Sequence, residues 1–299
     1  MDTLGQYEIT FETKCYENDW EYLLKTNYLN RMIHNCNFDF IFKHIIINNV
    51  KQRDVVGYYA QKKVKEKTID AYYFVDDYIE NALYYFDINK ESFGNGYYYS
   101  SAELVGLYVT KSKYILHFSS DSFLPGKDRS DWILEACNIF EKEPNIVVAN
   151  PTWGFQFDVA RKEAEGNMIG NFNLGYGFSD QCYLVRTEDF RAKIYNFKHS
   201  ASERYPKYGG ELFEKRVDSY MRVNGKQRIT STKISYIHRN FPYKKLNKIV
   251  ILFLMKINMY NLMCILVYKY KIIKMYKQLL SKIIRFVNGR HGISKAHSA

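Results

Sequence analysis

The chain has 299 residues, of which 46% are hydrophobic and 25% charged, a globular balance that excludes a wholly disordered or collagen-like chain. Lys and Arg outnumber Asp and Glu by 43 to 32, a formal net charge of +11, yet twelve of the basic residues and none of the acidic ones fall in residues 241–299. Residues 1–240 carry 31 basic and 32 acidic groups, so the excess belongs to a cationic tail and does not make the body a polyanion binder.

In chain order, residues 7–13 alternate and predict a strand, followed by helical character over 18–32 with Asn18 or Asp19 as N-cap. Residues 38–47 form an apolar run of the kind that suits a strand covered on both faces. A helix is expected over 54–65, a strand over 69–75, helices over 78–86 and 100–109, and a strand over 113–118. After a turn with Pro125-Gly126 come a helix around 130–141 and a short strand over 146–149. The stretch 150–179 is rich in glycine and reads as a long functional loop. Order returns with a strand over 181–186, helices over 188–195 and 211–223, and a strand over 228–238. Strands alternating with helices predict an α/β class, a mostly parallel sheet flanked by helices.

The five cysteines are odd in number and have no C-x-x-C spacing, so neither a disulfide framework nor a zinc site is expected, and reduced thiols point to a cytosolic compartment. The first residues have no basic segment followed by an apolar run, so no secretory leader is expected. Tyrosine clusters at 72–73 and 97–99 are read as strand and core packing.

In open α/β sheets, ligands bind beyond the carboxyl ends of the strands. Read in order, those ends carry Lys14-Cys15-Tyr16-Glu17, Asn48-Asn49, Asp76-Asp77 and Ser119-Ser120-Asp121. A carboxylate at the end of a buried apolar strand suits a hard divalent cation, which takes oxygen donors from one or two carboxylates, water and substrate phosphates.

These ends make the sequence resemble the GT-A fold glycosyltransferases, in particular the large inverting family 2. The resemblance rests on Thr13-Lys14-Cys15-Tyr16-Glu17-Asn18, on Ile45-Ile46-Ile47-Asn48-Asn49-Val50 and on the apolar strand running into Ser119-Ser120-Asp121-Ser122-Phe123-Leu124-Pro125. Gly209-Gly210-Glu211 opening a helix and Ile237-His238 ending a strand complete it, over about residues 7–240. Two positions depart from the family pattern: Ser119 stands at the first acid of Asp-x-Asp, and Leu212 follows Glu211 where the family has Asp.

The resemblance implies transfer of a sugar from a nucleotide-sugar donor to an acceptor hydroxyl with inversion, which needs a base, a cation on the departing diphosphate and a site that excludes water. It assigns the base to Glu211, or else to Asp180 in the Ser179-Asp180-Gln181 turn. A Mn2+ or Mg2+ ion falls to Asp121, with His238 as second ligand. Tyr16, Glu17, Asn48, Asn49, Ser119 and Ser120 are assigned to the nucleotide-sugar, and Trp153 to stacking on a sugar. Taken singly, each residue has a plainer reading as a cap, turn former or core side chain; their co-linear order carries the assignment. A catalytically silent GT-A-like scaffold is the alternative, motivated by Ser119 and Leu212. A nucleotidyltransferase is disfavoured because no Gly-rich phosphate loop follows the first strand.

Residues 243–288 contain no Pro or Gly. Within them 249–268 are strongly apolar but interrupted by Lys256, short of the about 20 apolar residues that span a bilayer. Over 271–287 apolar and basic residues alternate at spacings of three and four, which places them on opposite faces of a helix. Such a helix suits an anionic membrane surface. The expected organisation is therefore a GT-A-like domain over 1–240 and a basic amphipathic tail over 241–299. The enzyme would sit peripherally on the inner face of a membrane and act on a glycan or glycolipid acceptor, lipid-linked or on a surface polysaccharide, with no nucleic-acid partner.

Overall fold

A computed structural model describes residues 7–206, 209–238, 240, 241 and 245–256. The chain divides into two units at Asn240/Phe241. In the first, β1 (Ile9–Cys15) leads to helices α1 (Trp20–Leu24) and α2 (Tyr28–Asn35), then β2 (Phe42–Ile47), α3 (Arg53–Lys65), β3 (Ala71–Phe74) and α4 (Val75–Phe86). A 3-10 segment at Lys90–Gly96 precedes α5 (Tyr97–Val109), β4 (Tyr114–Phe118), β5 (Ser122–Phe123), α6 (Trp132–Lys142) and β6 (Ile146–Trp153). Then follow α7 (Phe157–Glu163), β7 (Met168–Ile169), β8 (Phe172–Gly175), β9 (Cys182–Arg186) and α8 (Thr187–Arg191). A second 3-10 turn, Ser200–Arg204, precedes α9 (Phe213–Val223) and β10 (Gln227–His238).

The strands form one mixed sheet in the order β3-β2-β1-β4-β9-β6-β10-β8-β7, with β5 paired to β10. β1, β2, β3 and β4 pair in parallel, and so do β6 and β10, while β9 runs antiparallel between β4 and β6. This is the α/β class with a mostly parallel sheet that the alternating elements predict. The carboxyl ends of β1, β2, β3, β4, β6 and β10 consequently share one end of the sheet with the amino end of β9.

Three differences from the expected elements have local causes. The helix expected over 18–32 breaks into two because the Thr26 hydroxyl donates to the Tyr22 carbonyl and accepts from the Tyr28 N–H at 3.1 Å, offering the backbone an alternative to a continuous helix. Residues 150–179 are not the open loop expected: β6 continues to Trp153, and α7, β7 and β8 follow. Pro151 is tolerated there, and β8 pairs antiparallel with β10. The helix expected over 188–195 is the single turn α8.

The core lies on the sheet around α5, of which Ser100 to Leu107 are all buried, with Phe86, Phe93, Tyr183, Tyr195 and Phe213 among its largest members. An unusual polar row crosses this apolar layer. Glu12 on β1 is fully buried and bonds His44 of β2 (Nε2 to Oε2, 2.8 Å) and His117 of β4 (Nδ1 to Oε1, 2.7 Å), its partners in register on either side. His117 in turn stacks on Tyr183 of β9 at 4.6 Å. Burial pushes Glu12 up, but the two imidazole hydrogen bonds outweigh it and hold the carboxyl below its ordinary value; burial depresses His117 despite Glu12. α5 passes over this row at Gly106, where a Cβ would meet Glu12 Oε2 at 2.0 Å.

In the second unit the described part is helix α10 (Lys245–Lys256), in which Ile251, Leu254 and Met255 are buried and Ile249, Val250 and Phe253 exposed. The basic amphipathic stretch expected over 271–287 lies outside the described residues. Among the described residues, no helix is long and apolar enough to cross a membrane.

Candidate functional site

At the carboxyl end of the sheet, Ser119-Ser120-Asp121 leave β4 in a tight turn, with Ser122 N–H donating to the Ser119 carbonyl at 3.0 Å. The turn delivers the chain into β5, whose antiparallel register sets Ser122 opposite His238. Asp121 Oδ1 therefore lies 3.2 Å from His238 Nε2, with the carboxylate side chain 14% and the imidazole 32% exposed. Ser119 Oγ donates to the same Asp121 oxygen at 3.1 Å and pairs with Ser122 Oγ at 2.7 Å. The serine at the departure from Asp-x-Asp thus orients the remaining carboxylate.

A second carboxylate approaches from the β1 end. Asp19 accepts from the Tyr16 N–H at 2.5 Å and from the Ser120 hydroxyl. It flanks α1 as N-cap without a capping hydrogen bond. Burial raises Asp19 to about 7; Ser120 and the Tyr16 N–H oppose the rise, and the charge of Asp121 adds to it. Among the described residues, no group of three or more His, Cys, Asp and Glu side chains stands in position to hold a metal ion. One carboxylate and one imidazole leave the rest of a coordination sphere to water and substrate oxygens, the habit of Mg2+ and Mn2+ at phosphate sites.

The adjoining wall is built on β1, where alternation puts Thr10, Glu12 and Lys14 on one face. Lys14 is buried and pairs with Glu103 of α5 and with Asp180 Oδ2 at 3.1 Å. Burial would discharge the ammonium, but Asp180 and its neighbours hold it protonated, above its ordinary value. Reciprocally, burial pushes Asp180 up while Lys14 brings it below the usual carboxylate value. Glu214, in the first turn of α9, lies near enough to Asp180 to feel its charge. Burial, then the negative charge of Asp180, push the Glu214 carboxyl up to about 8. The two neighbouring carboxyls are thus driven apart, one kept ionised and the other raised, an arrangement able to serve both acid and base chemistry.

Glu211 is placed elsewhere. Its side chain pairs with Lys215 Nζ at 2.7 Å and its backbone N–H bonds the Phe93 carbonyl at 3.2 Å, against the Lys90–Gly96 segment. The acid of this motif that reaches Asp180 is Glu214, three residues on.

Of the residues expected at the nucleotide, Tyr16 stacks its ring on Tyr98 at 5.9 Å. Asn48 bonds back to β1 through its N–H (2.9 Å to the Cys15 carbonyl), and its side chain donates to Ser101 Oγ at 3.0 Å. Glu17 accepts from the Lys51 N–H at 2.8 Å, bridging the β1 and β2 loops, and exposed Asn49 takes a left-handed φ of 50° as the turn requires. Trp153 ends β6, donates to Gln156 Oε1 at 3.2 Å and carries the Arg228 guanidinium 5.6 Å from its ring. The sequence offered Lys14 only as part of a strand end and Asp19 only as a cap, and it did not single out Glu103 or Glu214. A polar triple on one face of a buried strand, Thr10-Glu12-Lys14, was the signal that would have found the first.

No protein-family model matches this sequence, and no curated protein matches it either. Among solved structures, the chain is similar to glucosyl-3-phosphoglycerate synthase from Mycobacterium tuberculosis in complex with Mn2+, uridine diphosphate and phosphoglyceric acid, with 10% identity, a TM-score of 0.41, and 84% of this chain and 79% of that chain covered. It is similar to the same enzyme with Mg2+ and uridine diphosphate at 10% identity and a TM-score of 0.43, covering 86% and 84%. A structure described as a mycobacterial protein gives 11% identity, a TM-score of 0.43, and coverage of 84% and 74%.

Proposed function

We propose that the chain is a GT-A-type glycosyltransferase that moves a sugar from a nucleotide-sugar donor to an acceptor hydroxyl with inversion. The observation that supports this best is the juxtaposition, at one end of the sheet, of the Asp121–His238 pair with the Asp180–Glu214 pair. Asp121 and His238 would hold a Mn2+ or Mg2+ ion, which when bound neutralises charge on the departing diphosphate. Ser119 fixes the Asp121 carboxylate for that task.

Glu214 is the base. It takes the proton of the acceptor hydroxyl as the new bond from that oxygen to the anomeric carbon forms and the bond to the diphosphate breaks. A basicity raised toward the working pH suits it, since a base is most effective when its pKa lies near that pH. Asp180, kept ionised by Lys14, sustains that basicity and offers a fixed acceptor to donor-sugar hydroxyls. Tyr16, Glu17, Asn48 and Asn49 line the nucleotide side, with Ser120 tying the β4 turn to Asp19. Trp153 is the stacking wall for a sugar.

The acceptor is proposed to be a lipid-linked or surface-polysaccharide glycan. Residues 243–288 would hold the enzyme peripherally at the cytoplasmic membrane face through their basic amphipathic pattern. A titration with a panel of nucleotide-sugars in Mn2+, followed by thermal shift and then by transfer assays, tests the reading. Stabilisation by one donor and its turnover support it; no response to any donor would instead favour the silent scaffold, for which Ser119 in place of a second carboxylate speaks.

A further inference from the structure

Beside the Asp180–Glu214 pair lies a cluster of positive charge that the proposed chemistry leaves unused. Gly177 adopts φ +106°, and the point where its Cβ would stand is 2.5 Å from one terminal nitrogen of Arg204 and 3.3 Å from one of Arg228. Two guanidinium groups from different elements, the Ser200–Arg204 turn and the start of β10, thus converge on one spot of bare backbone. Like charges held this close cost free energy unless an anion comes between them.

The acids nearby fill that role only at the limit of contact. Asp218 is committed to Arg222, at 3.0 and 3.1 Å, and to the Ser202 hydroxyl, and it reaches Arg204 only at 3.7 Å. Glu163, half exposed, lies 3.5 Å from Arg228. Arg228 is 9% exposed, yet its Nε is buried without a hydrogen-bond partner. Burial depresses Arg228 most, and the positive charge of Arg204 adds to that, while Arg204 itself keeps a side chain 49% exposed and therefore open to a ligand.

The cluster also adjoins the proposed base. Tyr236, which acts on Arg228, donates to Gln181 Oε1 at 3.1 Å, next to Asp180. Arg204 is close enough to Glu214 to oppose the rise in its pKa. Trp153 closes the other side over Arg228. Paired forked donors match the oxygens of a phosphate better than those of any neutral sugar.

We propose that Arg204 and Arg228, converging at Gly177 beside Trp153, bind a phosphate group on the acceptor and so present its hydroxyl to Glu214. This rests on the transferase reading for the role of Glu214, but the phosphate site itself is testable without it. The shared ligand chemistry is a phosphate ester, whether on a small soluble molecule or on a lipid.

Full-length protein would be titrated with glycerol 3-phosphate, with glycerol as neutral control, and co-sedimentation with phosphatidylcholine vesicles with or without phosphatidic acid would be measured on the full chain with Lys271, Lys274, Lys277 and Lys282 replaced by Gln, so that the tail's own attraction to anionic lipid does not mask the site. Trp153 offers a fluorescence readout because Trp20 and Trp132 are buried. Saturable binding of glycerol 3-phosphate and not glycerol, weakened at least about tenfold in Arg204→Gln and in Arg228→Gln and less in Arg228→Lys, supports a soluble acceptor. Vesicle binding that needs both phosphatidic acid and Arg204 supports a lipid one. Uridine diphosphate with Mn2+ is the separate arm, and its affinity is expected to stay unchanged in Arg204→Gln.

The proposal is overturned if neither phosphate probe binds, if the Arg204 variant binds as well as the parent, or if the diphosphate is lost along with the phosphate, which would assign the pair to the donor. Phosphate binding without any nucleotide binding would leave the subsite standing and sink the transferase reading. Glu214-dependent transfer without phosphate binding would do the reverse.

Discussion

Asp121 Oδ1 stands 3.2 Å from His238 Nε2 because two residues of β5 pair antiparallel with the last two of β10. The contact joins the end of the fourth strand to the end of the tenth across a sheet in which β4 and β10 are not neighbours. A short strand, absent from the sequence-based expectations, is what assembles the proposed cation site.

Removing either member should therefore act through the metal. Asp121→Ala is expected to abolish Mn2+-dependent stabilisation by the donor nucleotide, and His238→Ala to weaken it by about 10–100-fold, as loss of a supporting metal contact typically does. Differential scanning fluorimetry across a Mn2+ series checks both, and a chelator added to the parent protein should reproduce the Asp121 result.

Glu214→Gln should lower kcat by about 100-fold to 10,000-fold, the usual worth of a general base, with little change in KM for the donor. Glu211→Gln, which loses only the pair with Lys215, should stay within about threefold of the parent, as surface ion pairs contribute little. The two variants assayed side by side decide between the two acids.

The raised basicity of Glu214 gives a pH signature. A carboxyl held up to about 8 is mostly protonated at neutral pH, so kcat/KM should rise with pH and level off above that value. Asp180→Asn removes the negative neighbour that raises it, so the midpoint should move to lower pH. A pH–rate profile of both forms, with an unmoved midpoint in the variant, would contradict the pairing.

Gly106→Ala places a methyl group 2.0 Å from Glu12 Oε2. Neither α5, buried from Ser100 to Leu107, nor the carboxylate held by two imidazoles has room to yield. A loss of about 1–3 kcal/mol or more is expected, the scale of overpacking in a filled core, measurable by urea unfolding.

In the tail, replacing Lys271, Lys274, Lys277 and Lys282 with Gln in the full chain should reduce co-sedimentation with anionic vesicles at least about tenfold, since each basic group near such a surface contributes about 1 kcal/mol. Neutral vesicles should show no difference between the two proteins.

Much of the fold was legible because its strands are short apolar runs whose ends change abruptly to polar residues. Ile45-Ile46-Ile47-Asn48 and Leu116-His117-Phe118-Ser119 show where β2 and β4 stop, and the functional end of the sheet follows from that. Glycine content misled over 150–179, since pairing to β10 supplies the order that local propensity lacks. The proposed base lies one helical turn beyond the acid that the resemblance implies. Glu211 and Glu214 have equal standing in a sequence, and only the path of the chain into α9 decides which faces Asp180. Asp19 read as a cap, and its turn toward Ser120 is a tertiary event. The paired arginines were invisible because Arg204 and Arg228 belong to separate elements and meet only at the Gly177 backbone.

The Glu12 row has a bearing on everything at the strand ends. A strand that slipped by one residue would leave a carboxylate and two imidazoles facing hydrocarbon with no partners, an error far costlier than a misplaced isoleucine. The row thus works as a transverse dowel through β2, β1 and β4, keyed by charge in the dry interior of the sheet. Tyr16, Asn48 and Ser119 emerge a fixed number of residues beyond it on their respective strands, so their alignment is machined upstream, before any ligand arrives to test it.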